Sequence, residues 1–352
     1  MTTLADSTKL AAMGLTVSMS LAIAQIDAAR ERVTCVLGEP TGWIECSAAG
    51  VFRVQPSVAR QDGDPHRERI AIDGRMFVGA RRDGGYLFGG GLPGKRGRVV
   101  SVDRAGRTVA SIDVARDVVL AIAVHENAFA IACADGSVHV GAIDRSGEPR
   151  IVRELSTHRG GAYAVAFDAS GSTLVSGGKD GLVRVYDAEE WARDERGDAD
   201  SSQVRCLELD SHTSPVLQVA FVPARDGTHT PEIASSSEDG AVRIHSKNGR
   251  LLRSWLGLAR DVRGLAPWRG SLVIAAGDGR LAILDRASEQ VRTLGEGGPA
   301  LLSLGIVRCV GGIDTALCAT RAGVRRFVLD PSDPVHRQKR EDAGRESPQP
   351  RR

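Results

Sequence analysis

The chain has no dominant charge. Its 46 Lys and Arg residues nearly cancel its 44 Asp and Glu residues, leaving a formal net charge of +2, so no global field drives it toward nucleic acid or membrane. Lysine is scarce, with only Lys9, Lys95, Lys179, Lys247 and Lys339 among those cations. With abundant Ala, Gly and Val, that bias points to a GC-rich, bacterial genome. The six cysteines, Cys35, Cys46, Cys133, Cys206, Cys309 and Cys318, form no C-x-x-C pair. They read as buried free thiols in a reducing compartment rather than as a zinc site. There is no G-x-S-x-G elbow and no H-E-x-x-H pair, which removes the familiar hydrolase and zinc-protease motifs. No stretch is long and apolar enough to span a membrane.

What is present is a repeated turn. Asp135-Gly136, Asp180-Gly181, Asp239-Gly240 and Asp278-Gly279 each sit between short apolar runs, with weaker copies at Ala49-Gly50 and Ala322-Gly323. Asp-Gly suits a two-residue hairpin in which both central residues take positive φ. The four strongest copies recur every 40 to 60 residues or so, the period range of propeller blades. Aligned on these turns, the chain divides into seven units of strands a, b, c and d. The expectation is an all-β, seven-bladed β-propeller of four-stranded blades.

The seventh unit lacks its fourth strand. A spare strand stands at the other end of the chain, where Leu15, Val17, Met19, Leu21 and Ile23 alternate with smaller or polar residues. Strict period-two alternation is strand-like, and Asp6 offsets Lys9, so this segment reads as a strand rather than a signal peptide ending at Ala22-Ile23-Ala24. Joined to the last blade, it would close the ring and remove two exposed edges. The expected organisation is an extension over 1–13, a propeller over 14–330 and a basic, polar tail over 331–352, in a cytoplasmic protein.

The fourth and fifth units carry more than turns. His158, Ser176, Asp180 and Tyr186 stand in the fourth, and His212, Ser235, Asp239 and His245 in the fifth. This pattern resembles the WD-repeat family. There a His before strand a, a Ser or Thr on strand b, the Asp of the b–c turn and a Trp ending strand c form a hydrogen-bonded chain within the blade. Here Tyr186 and His245 replace the Trp. The third, sixth and seventh units have Gly141, Leu284 and Leu329 there and lack the His and Ser. The resemblance implies protein–protein adaptor work with no cofactor, no metal and no catalysis. It also implies a partner-binding face made of the d–a loops and b–c turns. On this chain that face comprises Arg116, Arg159, Tyr163, Lys179, Glu238, Arg260, Arg263 and Arg321. Its Arg-rich character suits acidic segments of a protein partner, because guanidinium groups pair bidentately with carboxylates. The competing reading is local Arg–Asp pairing on a solvated rim.

Other signals are weaker. Gly89-Gly90-Gly91-Leu92-Pro93-Gly94-Lys95-Arg96 nearly spells a phosphate-binding loop, but Arg96 replaces the metal-holding hydroxyl and a strand follows. It reads as a Gly-rich b–c loop. Asp62-Gly63-Asp64 and Asp198-Ala199-Asp200 lack the later bidentate acid of a calcium loop. Arg196-Gly197-Asp198 reads as chance, and the acidic insertion from Glu189 to Gln203 as a surface loop. Two further functional classes stay open at this level. One is a propeller enzyme working at the channel mouth; the other is a nucleic-acid adaptor using the Arg-rich face and the tail. The sequence does not fix the oligomeric state.

Overall fold

A computed structural model of the chain describes residues 33–39, 42–47, 49–55, 66–155, 157–187, 206–224, 230–295, 297–308, 314–321 and 323–329. Short antiparallel strands account for its regular structure. The first blade is β1 (Val33–Glu39), β2 (Gly42–Ser47), β3 (Gly50–Gln55) and β4 (His66–Ile70). The second is β5 (Met76–Arg82), β6 (Gly85–Leu92), β7 (Arg96–Asp103) and β8 (Thr108–Ala115). The third is β9 (Val119–His125), β10 (Ala128–Cys133), β11 (Val138–Ile143) and β12 (Pro149–Glu154). The fourth holds β13 (Ala162–Phe167), β14 (Thr173–Gly178), β15 (Leu182–Asp187) and β16 (Cys206–Asp210). The fifth holds β17 (Val216–Val222), β18 (Glu232–Ser237), β19 (Val242–His245) and β20 (Leu251–Trp255). The sixth holds β21 (Val262–Trp268), β22 (Ser271–Ala276), β23 (Leu281–Leu284) and β24 (Val291–Thr293). The seventh has three described strands, β25 (Leu301–Arg308), β26 (Asp314–Thr320) and β27 (Gly323–Leu329).

The innermost strand of each blade contacts that of the next, and β25 returns to β1, so the seven sheets form a ring. The expected closing strand over Leu15–Ile23, the extension and the tail lie outside the described residues. Burial follows radius. The innermost strands β9 and β13 are nearly all buried, while the outermost β8 and β20 alternate between exposed and half-buried residues. The apolar clusters lie between neighbouring sheets. Val183, Val185 and Leu209 of blade four, for example, pack on Val216, Val219 and Ile233 of blade five. Each blade buries its faces against its neighbours, which is why the array folds as one body.

The turns differ from the expectation in one respect. Gly136, Gly181, Gly240 and Gly279 have φ of 95°, 79°, 76° and 84°, but the preceding aspartates keep negative φ; among the described residues only Glu126, Arg269 and Glu289 are positive outside glycine. The glycine amide instead donates back three residues, as from Gly136 to Cys133 at 3.0 Å and from Gly279 to Ala276 at 3.0 Å. This is a type I turn followed by a left-handed glycine bulge, not the doubly positive two-residue turn. A negative φ leaves each aspartate without backbone strain.

A second regularity was not visible in the sequence. Every innermost strand carries a bulge one residue after its first paired position, which leaves Thr34, Phe77, Leu120, Tyr163, Leu217, Arg263 and Leu302 out of register. A bulge re-aims its side chain. Phe77, Leu120, Tyr163 and Leu217 consequently share one buried cluster that reaches across four blades.

The Gly-rich segment is also corrected. Gly89, Gly90 and Gly91 are buried within β6, and only the Pro93-Gly94-Lys95 turn leaves the sheet before strand β7 begins. A Cβ on Gly90 would stand 2.0 Å from the Arg75 carbonyl oxygen. These glycines serve close packing between strands and form no phosphate cradle.

Candidate partner-binding face

The d–a loops and b–c turns meet at one end of the ring and are latched together there. In blade three, Asp135 accepts from the Arg116 amide at 3.0 Å, reaching back to the loop that enters its own blade. Its neighbour Gly136 reaches forward, with its carbonyl accepting from the His158 amide at 2.8 Å. Blade four repeats the arrangement with Asp180 and the Arg159 amide at 3.0 Å, then Gly181 and the His212 amide at 3.1 Å. Blade five repeats it with Asp239 and the Thr213 amide at 3.4 Å, then Gly240 and the Leu258 amide at 3.0 Å. A Cβ on Gly136, Gly181 or Gly240 would strike the carbonyl oxygens of His158, His212 or Ala259 at 2.2–2.4 Å. The Asp-Gly pair is thus an inter-blade joint as well as a turn.

Beneath this face blade four assembles the four residues read from its sequence. His158 Nδ1 donates to Asp180 Oδ1 at 2.9 Å, Ser176 Oγ donates to His158 Nε2 at 2.7 Å, and the buried Tyr186 hydroxyl lies 3.4 Å from Ser176 Oγ. These directions take the acceptor-only Asp180 as the partner of Nδ1; the donor-only Arg184 Nη1 also lies 2.6 Å from that nitrogen. Burial holds His158 below its ordinary pKa despite the neighbouring carboxylate. For Asp180, burial pushes the carboxyl up, but the bond from His158 and the charges around it outweigh burial and hold it well below the usual range.

Blade five forms the inner part of the same chain. His212 Nδ1 lies 3.0 Å from Asp239 Oδ2, and His212 Nε2 lies 2.9 Å from Ser235 Oγ. Burial raises the Asp239 carboxyl, yet its bonds from Arg243 and His212 bring it down to about 2. His245 fills the aromatic position but does not reach the network. It is 4% exposed and its Nδ1 has no hydrogen-bond partner among the described residues. Burial, with His212 and Arg243 nearby, lowers it to about 4.

One member of each network went unread in the sequence. Arg184 Nη1 donates to Asp180 Oδ2 at 3.1 Å, and Arg243 Nη1 donates to Asp239 Oδ2 at 2.8 Å. The signal was present as the shared spelling Asp-Gly-x-Val-Arg. In blade three the same position holds His139, whose Nε2 lies 2.9 Å from Ser137 Oγ, which in turn donates to Asp135 at 2.6 Å. That blade also replaces its missing strand-c aromatic. Phe129, paired with Gly141 across β10 and β11, occupies the space a Cβ on Gly141 would need.

The residues expected on the face divide clearly. Arg116, Arg159, Lys179, Glu238, Arg260 and Arg321 are exposed there. Tyr163 is not: it is 8% exposed and packed in the cluster with Leu120 and Leu217. The bulge at its position turns it inward. Arg263 is held by Asp261, with Nε to Oδ2 at 2.8 Å, as the local-pairing reading expected. The acids of the same loops are likewise engaged. Asp117 accepts from the Gly94 and Val118 amides, while Asp135 and Asp180 are tied as described. By contrast, no side-chain partner among the described residues holds Arg116, Arg159, Lys179, Arg260 or Arg321. Apart from the exposed Glu238, the loops turn their carboxylates inward and their cations outward.

The family model for the WD domain, G-beta repeat, matches residues 149–187 and 202–246; each match runs from the outer strand of one blade through the three inner strands of the next, those of blades four and five. No curated protein matches the chain. Among solved structures it is similar to the WD40 β-propeller domain of Doa1, with a TM-score of 0.64 at 14% identity, covering 90% of this chain and 97% of that one. It is similar also to a chain of the mitotic checkpoint complex, with a TM-score of 0.65 at 15% identity and coverages of 90% and 96%. These likenesses match the ring described above, and the two repeat matches fall on the two blades with the His–Ser–Asp network. The chain is a seven-bladed β-propeller, and the model of the WD domain, G-beta repeat, matches two successive repeats of it, over residues 149–187 and 202–246.

Proposed function

We propose that the protein is a non-catalytic adaptor whose loop face receives an acidic segment of a protein partner. One observation carries this reading: Arg116, Arg159, Lys179, Arg260 and Arg321 project from one face without a side-chain acceptor among the described residues, while Asp117, Asp135, Asp180 and Asp239 beside them are engaged. Unpaired guanidinium groups on a rigid frame are preorganised for carboxylates, since little ordering is needed on binding. WD40 propellers commonly bind protein partners, and one structural neighbour belongs to a multi-protein complex.

Affinity purification of the tagged chain from its native cell, followed by mass spectrometry, tests the proposal. A stoichiometric partner with an acidic segment is expected. Recovery of the lone chain, or of nucleic acid whose binding falls steeply with salt, would contradict it.

A further inference from the structure

A second site lies away from that face, in the groove where the outer strand of blade four meets the c–d hairpin of blade five. Its volume is about 540 Å³, and its walls include Leu207, Glu208, Leu209 and Asp210 on one side and Arg243, His245 and Leu251 on the other; Glu208 is engaged by Arg184. The two blades differ at one place in their networks. In blade four, Arg184 has two carboxylates: Nη1 donates to Asp180 and Nε donates to Glu208 Oε1 at 2.8 Å, Glu208 being its cross-strand partner on β16. In blade five, Arg243 has only Asp239, and its cross-strand partner on β20 is Ser254. The Nε and Nη2 donors of Arg243 therefore have no acceptor among the described residues.

Two further donors line the same groove unpartnered. Ser211 and His245 are 5% and 4% exposed, and among the described residues neither Ser211 Oγ nor His245 Nδ1 has a hydrogen-bond partner. Leu207 and Leu251, 42% and 50% exposed, form an apolar rim. Blade four shows which group completes such an arginine, namely a carboxylate supplied by a glutamate.

We infer that the groove between blades four and five binds a glutamate side chain within a peptide segment of a partner protein, with apolar neighbours of that glutamate seated on Leu207 and Leu251. The incoming carboxylate takes the place that Glu208 holds in blade four, accepting from Arg243, while Ser211 and His245 supply further donors. The site is independent of the Arg-rich face.

The test uses end-blocked peptide libraries with a fixed central glutamate between apolar residues, read by fluorescence anisotropy. The host is the full chain carrying Arg116→Glu, Arg260→Glu and Arg321→Glu, so the loop face does not contribute. The glutamate library is expected to bind and its glutamine counterpart to bind about tenfold more weakly or not at all. Ser254→Glu supplies the missing acceptor internally; it is expected to raise the melting temperature and abolish peptide binding. Leu251→Asp, at an exposed position, is expected to weaken binding without lowering stability. Equal binding of the two libraries, no binding of either, or undiminished binding by Ser254→Glu would overturn the assignment. Binding confined to peptides with a free C-terminal carboxylate would also overturn it, by placing the acid at a chain end.

Discussion

At the scale of single residues, the contrast between Tyr186 and His245 concerns one position filled in two ways. Tyr186 brings a hydroxyl to Ser176, whereas His245 brings a buried ring nitrogen with no partner among the described residues. A neutral buried histidine makes stability depend on pH in a definite direction. Its native pKa near 4 lies below the ordinary 6.5. The unfolded chain therefore gains a proton below pH 6.5 that the native state refuses until about pH 4. This contribution is full above pH 6.5 and is lost as pH falls to 4, by roughly 3 kcal/mol at about 1.4 kcal/mol per pH unit. His245→Tyr should remove that slope from the unfolding free energy and add about 1 kcal/mol at neutral pH through a bond to Ser235. Urea unfolding of both proteins between pH 4 and 7 measures this, and an unchanged slope would refute it.

The aspartates offer a second residue-scale comparison. Asp180 is 10% exposed and joined to His158 and Arg184, whereas Asp278 is 34% exposed and paired with the exposed Arg280. Removing Asp180 takes the acceptor from buried His158 and from the Arg159 and Leu182 amides and leaves Arg184 with Glu208 alone, so Asp180→Ala should cost roughly 2–3 kcal/mol. Asp278→Ala should cost well under about 1 kcal/mol. Equal losses would show that the network adds nothing to the turn. His158, Ser176 and Asp180 were legible in the sequence because their order and spacing are distinctive. Arg184 and Arg243 were not, because their importance depends on which face of the strand meets the histidine, and that emerges only once β14, β15 and the preceding loop are in register.

At the scale of elements, the b–c turns act as joints between consecutive blades. Gly181 combines a φ of 79° with a carbonyl oxygen 2.4 Å from where a Cβ would sit, whereas Gly94 has a φ of 65° and open space. Gly94→Ala should cost about 1 kcal/mol, the left-handed penalty alone. Gly181→Ala must also displace the His212 carbonyl, so it should cost roughly 2–3 kcal/mol and speed hydrogen exchange at the joint of blades four and five. Matching losses would mean that the joint yields freely. The turns were readable as chain reversals from Asp-Gly alone, but their type was not, since the i to i+3 bond fixes the aspartate at negative φ. The seven bulges left no sequence mark, for residues as different as Thr34, Phe77 and Arg263 occupy them. The glycines of β6 misled for a related reason: a glycine run reads as a loop until the strands pressing on it are known.

At the scale of the whole molecule, the count of seven followed from the spacing of turns, because each unit needs a neighbour to cover its faces. Six described sheets are complete and the seventh shows three strands, with the ring joined through β25 and β1. The loop face was legible as a set of positions. Which of its residues stand free was not, because Tyr163 is turned inward by its bulge and Arg263 is claimed by Asp261. What remains exposed is cationic, while most of the acids beside it are engaged, and the adaptor reading depends on that asymmetry. Arg116→Glu, Arg260→Glu and Arg321→Glu combined reverse the face without touching any described hydrogen bond of their side chains, so the fold and melting temperature should persist. The decisive measurement is the yield of the stoichiometric partner captured by this triple variant, compared with that captured by the unaltered chain under the same conditions. Loss of the partner from a folded triple variant is the predicted result; equal recovery by both would contradict the account.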